Sequence, residues 1–314
     1  MKEGASSKAS VLLPYPGPDP REELNDIFVY MRPETNGVVG ESAVMGVVEN
    51  CSAYRSGIKL VYLANLPGEY LLENHIVEYH YRVKLLFAAK GRELFTDHMI
   101  RRFEKRFHVP FEAAQVVGSF EALRILHLSP DELFNAWVAP EDVLMVNGQS
   151  IKRIGALYVV NYDIPALMHK NTRGTDIAVM LFRTTTSYSY FSDLVQQMRK
   201  RLVEEGVISE KFATGRGFHY SKSPFEQLLD ARGYLLAGDG TPIRLEETSF
   251  GRYLLDRGIP LTVIQGILDH PVGWFLDGDG STVEDSIFSA TYQMSFPDAL
   301  EVLKTMTAQY DFGV

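Results

Sequence analysis

The chain has 314 residues, 46% hydrophobic and 23% charged, a globular composition long enough for two modest domains or one large one. Its 31 basic and 40 acidic side chains leave a formal charge of −9, against general nucleic-acid binding, which needs clustered Lys and Arg. The single cysteine, Cys51, excludes an intramolecular disulfide and a multi-cysteine zinc site, and it fits a reducing, cytoplasmic setting.

The opening segment MKEGASSKASVLLPYPGPDP lacks the apolar core of a signal peptide. No apolar run approaches the roughly 18–20 residues that span a bilayer, so no membrane partner is expected. Pro14 to Pro20 cannot form regular hydrogen-bonded structure. Residues 1–20 therefore read as a flexible Pro-rich arm, with Val11, Leu12 and Leu13 as a small hook onto the body. Deleting it is expected to leave thermal stability nearly unchanged.

Ile27 to Met31 reads as a covered central strand. GVVGES, Gly37 to Ser42, hints at a phosphate loop but lacks the Lys-Ser or Lys-Thr ending, so a turn at Asn36-Gly37 is the preferred reading. His75 to Phe87 alternates, with Val77, Tyr79, Tyr81, Val83 and Leu85 on one side, and is predicted to be a half-buried strand. His80 would then lie in a solvated ladder with Glu78 and Arg82. Thr96 is a candidate N-cap for a helix carrying Met99, Ile100, Phe103 and Phe107. Arg101, Arg102, Lys105 and Arg106 are interleaved with Asp97 and Glu104, which suits a solvated helix face. Ser129-Pro130-Asp131-Glu132 is a capping box, and Asn147-Gly148 a hairpin turn.

Asn161 to Asn171 adds Asp163, His169 and Lys170; the first two are an acid–base candidate that no spacing rule demands. Ile177 to Phe182 reads as a second covered strand. Arg183 follows at its end, where it could meet an anionic group, and leads into a hydroxyl-rich loop with Ser192 as the cap of the next helix. The stretch GRGFHYSKSPFEQLL, Gly215 to Leu229, sets Arg216 between glycines and adds His219, Ser221 and Lys222 just before a second capping box, Ser223 to Glu226. Backbone amides at a helix start suit an anion, so Gly215 to Lys222 reads as an anion-binding loop. A hairpin is expected near residues 233–246. Asp277 to Phe288 resembles a calcium loop, but Thr282 replaces its glycine and Phe288 its bidentate Glu, so a hairpin is expected there too. DSIFSATYQMS, Asp285 to Ser295, reads as a strand leading into a helix from Pro297.

Several segments recur at a near-constant offset. LVYLAN from Leu60 resembles ALYVVN from Ala156, and VKLLF from Val83 resembles AVMLF from Ala178. These echoes predict an internally duplicated α+β fold of strand-strand-helix units, with a mixed or antiparallel sheet covered by helices. Copy A would span residues 21–150 and copy B residues 151–314, the second carrying an inserted loop and hairpin. The expected function is a cytoplasmic binding or regulatory protein for a small anionic ligand or a protein partner. Arg183, Arg216, His219, Ser221 and Lys222 are the expected ligand-binding residues. No motif assigns a metal or another cofactor. Two rivals remain. One is an enzyme acting on a phosphorylated or carboxylated small molecule. The other is an assembly protein that uses the arm to grip a neighbour in a homo-oligomer.

Overall fold

A computed structural model describes residues 8–210 and 217–313. Its strands run, in chain order, β1 (Ser10–Leu13), β2 (Asn25–Met31), β3 (Ile58–Pro67), β4 (Gln115–Gly118), β5 (Val143–Val146) and β6 (Gln149–Ile154). There follow β7 (Leu157–Val160), β8 (Asp176–Thr184), β9 (Phe218–Tyr220), β10 (Val272–Leu276), β11 (Thr282–Ser286) and β12 (Met306–Gln309). The class is α+β, with antiparallel and mixed sheets packed among helices. No described helix is long and apolar enough to cross a membrane.

The chain forms two compact units. The first comprises Met1–Ile76, Asn171–Leu268 and Thr291–Lys304, and the second Val77–Lys170, Asp269–Ala290 and Thr305–Val314. The sequence boundary at residue 150 falls inside β6.

The first unit is built on a five-stranded antiparallel sheet in the order β1-β3-β8-β2-β9. β2 is buried along its whole length, and β8 is buried from Ile177 to Phe182, the covered strands that their continuous apolar runs predict. On one face Ile27, Val29, Met31, Met180 and Phe182 pack against the helices Val38–Glu49 and Tyr188–Glu204 through Val44, Val48, Phe191, Val195 and Met198. The second of these helices begins earlier than Ser192. Ser187 is its cap and accepts from the Tyr190 amide at 3.2 Å.

The second unit holds a mixed sheet, β4-β7-β6-β5, and an antiparallel one, β11-β10-β12. Thr96 caps the helix Asp97–Phe107, and Ser129 forms its capping box with Glu132. Phe103 and Phe107 from that helix meet Tyr158 of β7 at centroid distances of 4.7 and 4.8 Å. Asn147 and Gly148 both adopt positive φ, 51° and 74°, in the two-residue turn that joins β5 to β6.

Three expectations are corrected. Residues 76–90 form the helices Ile76–His80 and Arg82–Lys90, not a strand. Buried Val77, His80, Val83 and Phe87 are spaced by three, three and four, a helical period that the apparent alternation concealed. His80 is thus a buried helical residue rather than part of a solvated ladder. The duplication is not seen. Leu60–Asn65 lies in β3 of the first unit and residues 157–160 form β7 of the second, while Val83–Phe87 is helical where Ala178–Phe182 is strand. Finally, residues 8–20 are not a loose tail. β1 pairs antiparallel with β3, Ser10 opposite Asn65 and Val11 opposite Ala64, and Tyr15 reaches into the body.

Candidate ligand-binding site

The face of the first unit's sheet away from the apolar core described above is different in character. Side chains alternate along a strand, so Asp26, Phe28 and Tyr30 of β2 share this face. Directly opposite them lie Arg183 and Leu181 on β8 and His219 on β9. Pro224–Tyr234 and Ser249–Asp256 are the helices that cover it.

Arg183 grips Asp26 with two bonds, Nε to Oδ1 at 2.7 Å and Nη2 to Oδ2 at 2.9 Å. Both side chains are nearly buried, at 13% and 7% exposure. The same Nη2 lies 3.0 Å from the Gly17 carbonyl, 3.1 Å from Ser249 Oγ and 3.3 Å from the Tyr15 hydroxyl. Ser249 donates to Asp26 and accepts from the Asp19 amide at 3.0 Å. Burial, then the Asp26 charge, pushes the Tyr15 phenol well above its ordinary range, so it stays protonated. Arg183 is therefore neutralised at short range and does not offer a bare cation.

His219 and Ser221 converge on Asp230. His219 Nε2 lies 3.0 Å from the carboxylate, and Ser221 Oγ donates to it at 2.6 Å. Ser221 also accepts from the Phe28 amide at 3.1 Å, tying β9 to β2. The His219 ring stacks on Tyr30 at 4.4 Å, and Tyr30 stacks on Tyr234 at 4.7 Å. This is not a nucleophile–base relay, since serine and histidine both address the carboxylate and Ser221 is fully buried.

Lys222 lies 3.9 Å from Glu226, and its ammonium lies 5.2 Å from the Tyr220 ring centroid. Ser223 caps the helix by accepting from Glu226, while Glu226 returns to the amide of Lys222 rather than that of Ser223. Arg216 lies outside the described residues. Asp163 accepts from Ser150, Lys170 pairs with Asp131, and among the described residues no hydrogen bond or ion pair joins Asp163 to His169.

Next to the Asp26–Arg183 pair lies a small cleft with a cavity volume of about 10 Å³. Its apolar walls are Phe28, Leu181, Leu228, Ala231, Leu235 and Phe250, and its polar ones Tyr15, Asp26, Gln227, Thr248 and Ser249. Thr248 is engaged as the cap of the helix Ser249–Asp256. Gln227 is 3% exposed and its amide nitrogen donates to Tyr188. Its Oε1 is the one buried side-chain polar atom of this lining without a partner among the described residues. Such an atom costs roughly 1–3 kcal/mol when left unsatisfied.

The sequence singled out Arg183, His219 and Ser221, which lie on this face but do not line the cleft, and it did not single out Tyr15, Asp26, Gln227, Asp230 or Ser249. Asp26 had a signal, a charge at the head of an apolar strand, where burial demands a partner. Gln227 and Asp230 had another, since these two polar residues fall three apart on one face of the helix, among the buried Leu228, Leu229 and Ala231.

Comparison with protein-family models, with curated proteins and with solved structures gives no match.

Proposed function

We propose that the chain is a non-catalytic binding protein whose ligand is a small neutral molecule, largely apolar, with one N–H or O–H donor. The observation that carries this reading is the buried, unpartnered Gln227 carbonyl on a cleft whose other polar groups are already engaged. Ligand sites are mostly apolar concavities with a few placed polar atoms that fix orientation, and this cleft has that make-up. The Asp26–Arg183 pairing argues for a neutral ligand rather than the anion expected from the sequence, because the local charges already cancel. Binding is favoured over catalysis because Ser221 and Ser249 both donate to carboxylates that are themselves engaged, Asp230 with His219 and Asp26 with Arg183. The lone Cys51 supports a reducing, cytoplasmic setting.

A thermal-shift panel tests this, because a ligand of the native state raises apparent stability by mass action. Benzamide, phenol and related neutral donors are expected to raise Tm, while phosphate and acetate leave it unchanged. Gln227→Leu should abolish the neutral-donor response. Shifts from the anions alone, or an undiminished response in Gln227→Leu, would overturn the reading.

A further inference from the structure

The cleft is small for a ligand site. Its cavity volume of about 10 Å³ is room for about one water, far below the about 300–1,000 Å³ typical of small-molecule pockets, so something must move. Among the lining side chains only Tyr15 belongs to the N-terminal arm; the others sit on β2, β8 or the two covering helices and their caps. We infer that residues 10–20 form a strap that peels from the sheet as one stiff piece to admit the ligand, and that Tyr15 is a ligand-contacting residue supplied by it. This inference rests on the binding reading given above.

Four observations carry it. First, the strap is weakly attached. Prolines 14, 16, 18 and 20 have no N–H to donate, and the main-chain bonds over this stretch to Arg183 and Ser249 come from Gly17 and Asp19. The Tyr15 hydroxyl sits 3.3–3.4 Å from its partners, long for such bonds. Second, its other anchor is a four-residue edge strand whose register slips between Val11 and Leu13, with Leu12 and Leu13 exposed. Third, the segment is stiff. Tyr15, Gly17 and Asp19 turn inward while Pro14, Pro16 and Pro18 face solvent, and a proline-rich stretch has little slack. Lifting Tyr15 therefore drags β1 off β3, and the turn closed by the Leu24 amide on the Arg21 carbonyl is the pivot. Fourth, opening leaves no bare charge. Arg183 and Asp26 keep both of their mutual bonds, and Ser249 keeps its bond to Asp26. Segments with few buried contacts and solvent-exposed backbone open most readily.

The test uses the full-length chain in a Cys51→Ala background with Ser10→Cys and Asn65→Cys. These positions face each other in the antiparallel pair, where Cα separations of about 4.5–5.5 Å suit a disulfide. The probe is 4-fluorobenzamide, followed by 19F NMR exchange, with amide hydrogen exchange read in parallel. In the oxidised, stapled chain the probe's association and dissociation should both slow at least tenfold, with Kd nearly unchanged, and reductant should restore them. Equal exchange rates in the oxidised and reduced chains would overturn the inference. If the probe binds neither form, the binding reading fails by itself, and the strap is judged without it. An Asp19 amide that exchanges at least 100-fold faster than that of Met180 in β8, and is slowed by the staple, would uphold the strap; equal rates would sink it.

Discussion

At the scale of single residues, the decisive pair is Asp26 and Arg183. Two nearly buried, bidentate partners stabilise little on balance, because desolvation offsets most of their attraction. Removing one of them is another matter, since it strands a charge. Asp26→Asn is therefore expected to cost about 3–5 kcal/mol in urea unfolding. The double change Asp26→Leu with Arg183→Met should cost markedly less, and equal losses would mean that the charges do not compensate each other. A second residue-scale expectation concerns Lys152 in the second unit. Its ammonium donates to the carbonyls of Phe134 and Ala136 at 3.3 and 2.8 Å and lies 3.7 Å from the Tyr162 ring centroid. Burial nevertheless pushes its pKa down from 10.5 to about 8, against a smaller opposing pull from Asp163. Between those values the unfolded chain holds the proton that the folded chain has released, so stability should rise with pH from about 8 to 10.5. Comparing urea midpoints at pH 8 and pH 10 checks this. Lys152→Met should remove that part of the rise, and an unchanged pH slope in the variant would contradict it.

At the scale of elements, caps and turns were the most legible features, because each is written in three or four adjacent residues. Thr96, Ser129 and Ser223 each cap a helix, and Asn147-Gly148 turns a hairpin. The covered strands β2 and β8 were legible for a related reason, an apolar run too short for a helix. Residues 76–90 failed because His-Ile-Val-Glu-Tyr-His-Tyr satisfies both periods, and burial, which the sequence does not show, decides between them. The apparent duplication failed for the same cause, since a five-residue apolar match such as Val83–Phe87 with Ala178–Phe182 carries no information about period. One element-scale feature was not legible at all. The helix from Pro224 breaks at Arg232 and Gly233, where Gly233 takes φ 93° and directs Leu235 into the cleft wall. Tyr62 and Tyr70 hold this bend by donating to the carbonyls of Tyr234 and Gly233, each at 3.1 Å. A Cβ on Gly233 would lie 2.5 Å from the Ile76 Cδ1 atom. Gly233→Ala should thus destabilise by more than about 1 kcal/mol, and by more than any exposed glycine in a comparable turn. A neutral effect in thermal unfolding would show that the bend tolerates a side chain.

At the scale of the whole molecule, the candidate site draws on residues 15, 26, 183, 227 and 249, five positions in separate stretches of the chain. A short motif cannot report such an assembly. Only Arg183 stood out beforehand, and it did so as a potential anion binder because its partner Asp26 is more than 150 residues away in the sequence. The arm shows the same blindness, since proline density was read as freedom while the inward-facing Tyr15, Gly17 and Asp19 tie it to the body. The most direct measurement of the central claim is a crystal structure of the full-length chain soaked with benzamide. The ring should lie among Phe28, Leu228 and Phe250, with the amide nitrogen about 3 Å from Gln227 Oε1. A ring bound elsewhere, or a Gln227 carbonyl already paired with another protein group in the unsoaked crystal, would contradict it.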